Sequence, residues 1–299
     1  MNGEGEFYTI LGFDMETDCG SWSPFYNGLV EGTPKILDLL EKKEIPATFF
    51  FTGEAARLHP EIAKMIINKN PAHEIGCHSL YHETVGDPIF EIPGIKPLLP
   101  EEVKNRIKVA TEMVEQACGK MPVSFRAPRL WGSTEVVNSL EELGYVADAS
   151  YPMFYYEEQL VPYHPSKENW LKKGDLKIVE IPNFADMTIE SKDEYKRDRD
   201  QWPLFRTKNG KELLKHVDNF ITYVRDRHLP VVLCFYFHPW EFIKMPKKFS
   251  YGEGTVIPDR FLVKNCGKYA LEQLEVVIDG LLERGTKFLT AKELASKKW

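Results

Sequence analysis

Val231–Phe237 reads VVLCFYF and stops at His238 and Pro239. The run has strand length and no charged side chain interrupts it, so both faces of the strand must be covered. A strand covered on both faces belongs to a parallel sheet with helices packed outside it. The neighbouring sequence agrees. Lys211–Arg227 has helical periodicity and precedes the strand, and a second helical stretch, Leu271–Arg284, follows it. The same alternation extends to the carboxyl end, where a strand at Lys287–Leu289 runs into Thr290-x-x-Glu293, a capping box that opens a last helix.

Toward the amino end the theme repeats. Phe7–Phe13 is the first strand, and Thr33 followed by Pro34 marks an N-cap with proline at the first helical position. Ala47–Thr52 (ATFFFT) is the next strand, followed by a helix to about Lys69. Glu74–Cys77 precedes a helix over Pro100–Cys118 that Gly119 ends, and Val123–Phe125 precedes a helix capped by Ser133. Tyr145–Ala147 and Lys177–Ile181 complete the set. About seven strand–helix units predict an α/β chain, residues 1–299, folded as one domain: a distorted TIM-like (β/α) barrel of about seven parallel strands. Tyr151–Trp202, irregular and rich in Pro, Tyr and Trp, is expected to form loops over one mouth.

Composition narrows the partners. The 299 residues are 43% hydrophobic and 28% charged, with a net charge of −7, which argues against nucleic acid because phosphate binding needs a basic face. No apolar run approaches the ~18–20 residues that span a bilayer, so no membrane partner is expected. Met1–Asp18 shows no basic segment followed by an apolar one. The cysteines (Cys19, Cys77, Cys118, Cys234, Cys266) are odd in number, scattered and without a C-x-x-C pair, as in a reducing compartment. A cytoplasmic location is the expectation, and exposed aromatics in the loop region lead us to expect a homo-oligomer.

Chemistry-bearing residues sit at the downstream ends of five predicted strands: Asp14 and Glu16, His78 and His82, Arg126, Asp148, and His238. In a parallel barrel those ends converge on one face, where such folds carry their sites. His78-x-x-x-His82, if helical, would place two imidazoles one turn apart, able to share a metal with a carboxylate from elsewhere. Asp14 and Glu16 alternate if extended and would face the same side, with Asp18 as a spare ligand. Each residue also has a plainer reading. The acids suit a solvated loop, the histidines two unrelated positions, Arg126 a helix cap or a surface ion pair, and His238 a hydrogen-bonded core residue. Cys77 and Cys234 read as small core residues rather than nucleophiles.

Taken in order, these segments resemble the polysaccharide deacetylase superfamily (NodB-homology, carbohydrate esterase family 4). Gly12-Phe-Asp-Met-Glu16, His73-Glu-Ile-Gly-Cys-His-Ser-Leu-Tyr-His82, Phe125-Arg-Ala-Pro128, Tyr145-Val-Ala-Asp-Ala-Ser150 and Phe237-His-Pro-Trp-Glu241 are similar to its five motifs. The spaced acidic pair Asp14-Met15-Glu16 resembles the branch with peptidoglycan-deacetylase-like and allantoinase-like members. The resemblance implies a distorted barrel and metal-dependent hydrolysis of an acetamide on an N-acetylated sugar or polysaccharide. It implies one divalent metal on Glu16, His78 and His82, with zinc fitting best and cobalt, nickel or iron acceptable. It further implies Asp14 as base, Arg126 as its partner, His238 as the acid, and Asp148 orienting a charged neighbour. Arg129 stands where many members carry an aromatic, and the fourth motif lacks a tryptophan. Tyr81, Trp131, Tyr151, Tyr236 and Trp240 are candidates to stack on a sugar, core packing being the plainer reading for each. The alternatives are hydrolysis of a small non-sugar amide such as a ureide, and a non-catalytic carbohydrate-binding barrel.

Overall fold

The computed structural model describes residues 5–299. Ten strands form among the described residues: β1 (Phe7–Met15), β2 (Thr48–Phe51), β3 (Glu74–Cys77), β4 (Ser124–Phe125), β5 (Ala147–Asp148), β6 (Val179–Glu180), β7 (Val231–Phe237), the hairpin strands β8 (Phe249–Tyr251) and β9 (Gly254–Val256), and β10 (Lys287–Phe288). Except for that hairpin, all pair in parallel. β1 lies along β7 through Phe7–Phe13, against β10 at Tyr8–Thr9 and against β2 at Gly12–Met15. The sheet then runs β2, β3, β4, β5, β6. It curls until the chain beyond β6 reaches β7, where the Phe184 N–H donates to the Cys234 carbonyl at 2.8 Å. The expected distorted α/β barrel is the fold; eight strands share one sheet against the about seven expected, and β10 is the strand read at Lys287–Leu289.

The interior follows from alternation along the strands. Tyr8, Ile10, Phe50, Ala147, Val179, Ile181, Val232 and Cys234 fill the lower half together with Ala291 and Leu294 of the helix Ala291–Ala295, which the predicted Thr290–Glu293 capping box opens. Above them the lining turns polar. At Gly12 of β1 a Cβ would stand 2.3 Å from a guanidinium nitrogen of Arg126, so only glycine lets that side chain cross the barrel. Helices cover the outside, the helix Pro100–Cys118 closing at a left-handed Gly119 as expected.

Three local readings need correction. Thr33 is not an N-cap: the residues before it wind as a π-turn, Gly28–Gly32, so the helix Thr33–Lys43 continues a turn already begun. The helix after β2 is two, Gly53–Leu58 and Pro60–Ile67, broken where Pro60 cannot continue the ladder. Most importantly, His78–His82 is not helical. No helix among the described residues is long and apolar enough to cross a membrane.

Candidate metal centre and catalytic groups

Asp14 and Glu16, two apart at the downstream end of β1, both turn inward, as extended backbone requires. Glu16 Oε2 lies 2.7 Å from His82 Nε2 and 3.7 Å from His78 Nε2, and Asp14 Oδ2 lies 3.9 Å from His78 Nε2. A loop brings the imidazoles together in place of a helical turn. Ser79 and His82 take left-handed backbone, with φ of 66° and 62°. Glu83 pins the loop by accepting from the backbone N–H of Tyr81 at 2.6 Å, that of Leu80 at 3.2 Å and the Ser79 hydroxyl at 3.1 Å. The two rings end with centroids 5.2 Å apart. His78 Nδ1 donates to the Arg126 carbonyl at 2.7 Å, which turns Nε2 toward the carboxylates.

One atom each from Glu16, His78 and His82 lie within 4.8 Å of one another. His78 Nε2 is buried and makes no hydrogen bond among the described residues, and the equally buried Glu16 Oε2 has only the ring nitrogens of His82 and His78 beside it, at 2.7 and 3.7 Å. Buried polar atoms are normally satisfied, so orphaned atoms aimed at one point fit a cation. Burial pushes the Glu16 carboxyl up, but His82, His78 and His238 outweigh it and hold that group well below the carboxylate range. Burial lowers His82, favouring the neutral imidazole that ligation needs.

Arg126 is fully buried in the barrel. It donates to Asp14 Oδ1 at 2.8 Å and to the carbonyls of Ala149 and Phe235 at 3.2 and 3.3 Å, its guanidinium 4.4 Å from the Phe50 ring centroid. The helix-cap and surface readings are therefore set aside for Arg126. His238 is held from the other side: its backbone N–H and Nδ1 both donate to Glu241 Oε1, each at 3.0 Å. Its Nε2 lies 3.8 Å from Glu16 Oε1. Burial lowers the His238 imidazole, but Glu241, Glu16 and Asp14 together raise it above its ordinary value. Glu241 is in turn an ion partner of the buried Arg206 and accepts from Trp202 Nε1 at 2.9 Å.

Two acids stand elsewhere. Asp18 is no ligand. It accepts from the N–H groups of Asn27 and Gly28 at 3.2 and 2.8 Å, bracing that loop, and burial pushes it up to about 6. Asp148 makes no ion pair with a basic side chain among the described residues; its Oδ1 accepts from the Ser150 hydroxyl, and Glu180 stands beside it in register on β6. Above the centre opens a cleft of about 210 Å³. Of the aromatics singled out in sequence, Tyr236 and Trp240 line it, while Trp131 and Tyr151 are buried in the core and Tyr81 faces outward. Trp22, Phe90 and Trp202 line it too and were missed, as were Glu241, Arg206 and Glu83. Only Glu241 had a local signal, three residues after His238. Cys77 and Cys234 are buried core residues, and all five cysteines are free thiols.

Residues 14–147 match the family described as polysaccharide deacetylase. That stretch belongs to the polysaccharide deacetylase family. A peptidoglycan-N-acetylglucosamine deacetylase of Bacillus cereus is 31% identical over 135 residues, 37% of this chain and 45% of that protein. The chain spans less than half the length of the first curated relatives it matches, 45% and 42%. Among solved structures, a carbohydrate esterase family 4 pseudoenzyme from Bacillus anthracis superposes with a TM-score of 0.54 at 18% identity, covering 98% of this chain and 66% of that one. An allantoinase superposes at 0.61 with 13% identity, covering 98% and 90%. At such identities the likeness is one of fold. His238, Glu241 and Arg206 lie beyond the polysaccharide deacetylase match, so what is said of them rests on geometry.

Proposed function

We propose that the protein is a metal-dependent amide hydrolase that removes the acetyl group from an N-acetylated sugar. The observation that carries this reading is the convergence of Glu16, His78 and His82 on one buried point, with Asp14 and His238 on either side of it. Those three residues would hold one divalent ion, and zinc suits two imidazoles and a carboxylate, as cobalt, nickel or iron also can. Such an ion supplies Lewis acidity toward the amide carbonyl and toward water.

The remaining work falls to the chain. Arg126 engages Asp14 Oδ1, which leaves Oδ2 facing the centre to accept the proton of the attacking water. Glu241 takes the Nδ1–H of His238, so Nε2 carries the second proton toward the cleft. That proton passes to the amide nitrogen as the C–N bond breaks, without which an amine leaves poorly. Acetate and a free amino sugar are the products.

The test is metal content of the wild type and of His78→Ala/His82→Ala, measured beside acetate release from N-acetylglucosamine oligomers. About one divalent ion per chain, lost in the double variant and required for acetate release, is the expected result. A second reading has its own support. The cleft lies below the ~300 Å³ where ligand pockets usually begin, room for one ring or a small amide such as a ureide. Metal without acetate release would favour it. A metal-free wild type that still binds sugar would leave a non-catalytic barrel.

A further inference from the structure

Asp148 and Glu180 sit side by side in register on β5 and β6, both without exposed surface. Their side chains leave the sheet on the face opposite Ala147 and Val179, outside the barrel interior. Glu180 Oε1 accepts the N–H groups of Ser150 and Tyr151 at 3.1 and 2.8 Å. The Ser150 hydroxyl donates to Asp148 Oδ1 and accepts the Ala127 N–H at 2.8 Å. That leaves Glu180 Oε2 and Asp148 Oδ2, both buried and without a donor among the described residues. Two acceptor-only carboxylates cannot hydrogen-bond each other, whereas a pair holding one proton can, and satisfies both orphans. Burial and mutual repulsion keep the proton on Glu180, whose carboxyl is raised well above its ordinary value.

We propose that Glu180 is a positioning residue for the metal centre and the base: joined to Asp148 by one shared proton, it braces the 148–151 turn against which Arg126 and Ala127 are set. The route is short. Ser150 fixes the Ala127 N–H, and the Ala149 carbonyl accepts Arg126 Nε at 3.2 Å and Asn183 Nδ2 at 2.7 Å. Arg126, so placed, orients His78 through its carbonyl and Asp14 through its guanidinium. One pair behind the wall thus sets a ligand and the base together. When the shared proton is lost as pH rises, the two carboxylates repel and the brace loosens. The charged or titratable groups facing the pair are Arg126, Tyr151 and Tyr163, the two tyrosines raised by burial and so neutral.

The inference uses the proposed reaction only for its activity readout; zinc affinity, by competition with a chelator, stands apart from it. Glu180→Gln keeps an acceptor for Ser150 and Tyr151 and a permanent donor for Asp148. It should bind zinc and turn over within about threefold of wild type at neutral pH. Its zinc affinity should also persist as pH rises, where that of the wild type falls. Glu180→Leu should weaken zinc binding about 10–100-fold, as loss of an outer support does. A folded Glu180→Leu with wild-type affinity would overturn the inference, as would the same pH profile for wild type and Glu180→Gln. If Glu180→Leu does not fold, the Gln comparison decides alone. Shifts in zinc affinity without hydrolysis of any acetamide would sink the proposed reaction and leave the brace standing. A wild type that binds no zinc would sink both.

Discussion

The division of labour between neighbouring side chains is set at single residues. His238 has two ring nitrogens, and Glu241 settles which carries the fixed hydrogen bond. Glu241→Ala should therefore lower kcat about 10–100-fold while metal content stays at the wild-type level, since the Glu241 carboxylate is engaged by His238, Trp202 and Arg206. Steady-state rates beside elemental analysis check this, and loss of metal would show that Glu241 acts on the centre as a whole. Gly12 makes the complementary point. A methyl there would collide with Arg126. Gly12→Ala should displace the guanidinium from Asp14 and cost roughly 3–5 kcal/mol of stability, the usual penalty for breaking a buried ion pair. Urea unfolding measures it, and a cost under about 1 kcal/mol would mean that the guanidinium has somewhere else to go. Glu241 was legible as part of Phe237-His-Pro-Trp-Glu241, though not its role. Gly12 was not, because nothing local says that an arginine 114 positions later will pass over it.

Elements whose pattern is periodic were read well, and those held by side chains were not. Glu74–Cys77, Pro100–Cys118 and Val231–Phe237 have the bounds their sequences predict, because apolar periodicity and a terminal glycine are local signals. The loop from His78 to Glu83 shows the limit. A spacing of four suggests a helical turn, yet left-handed backbone at Ser79 and His82 costs about 1 kcal/mol or more at each non-glycine residue and must be held in place. Glu83 does this with three hydrogen bonds. The imidazoles were paired correctly for a different geometric reason. Glu83→Ala should thus weaken metal binding about 10–100-fold with little change in global stability. Chelator competition and thermal unfolding together test it. An unaltered affinity would mean that the ring packing of His78 and His82 suffices to hold the loop.

On the scale of the molecule the barrel is closed by contacts between residues far apart in sequence, and acid should open it from one of them. Beyond β6 the buried Asp186 accepts from His216 Nδ1 at 2.7 Å and Asn219 Nδ2 at 2.9 Å, and from Thr188. This ties the segment that meets β7 to the helix Gly210–Arg225. Burial alone would raise the Asp186 carboxyl, but His216, Thr188 and Asn219 outweigh it and hold the group at about 2, against an ordinary 3.8. A depressed carboxyl stabilises the fold above its unfolded value and loses that contribution as pH falls through its folded one. The window is therefore from about pH 4 down to about pH 2, and the amount about 2 kcal/mol. Other acids titrate in the same range, so the quantity to measure is the difference between wild type and Asp186→Asn in urea at each pH. Wild type should be the more stable by a constant margin above pH 5, and the margin should shrink steadily below pH 4. A margin that stays constant to pH 2 would mean that Asp186 is held by shape rather than by charge, and that the barrel yields to acid elsewhere first.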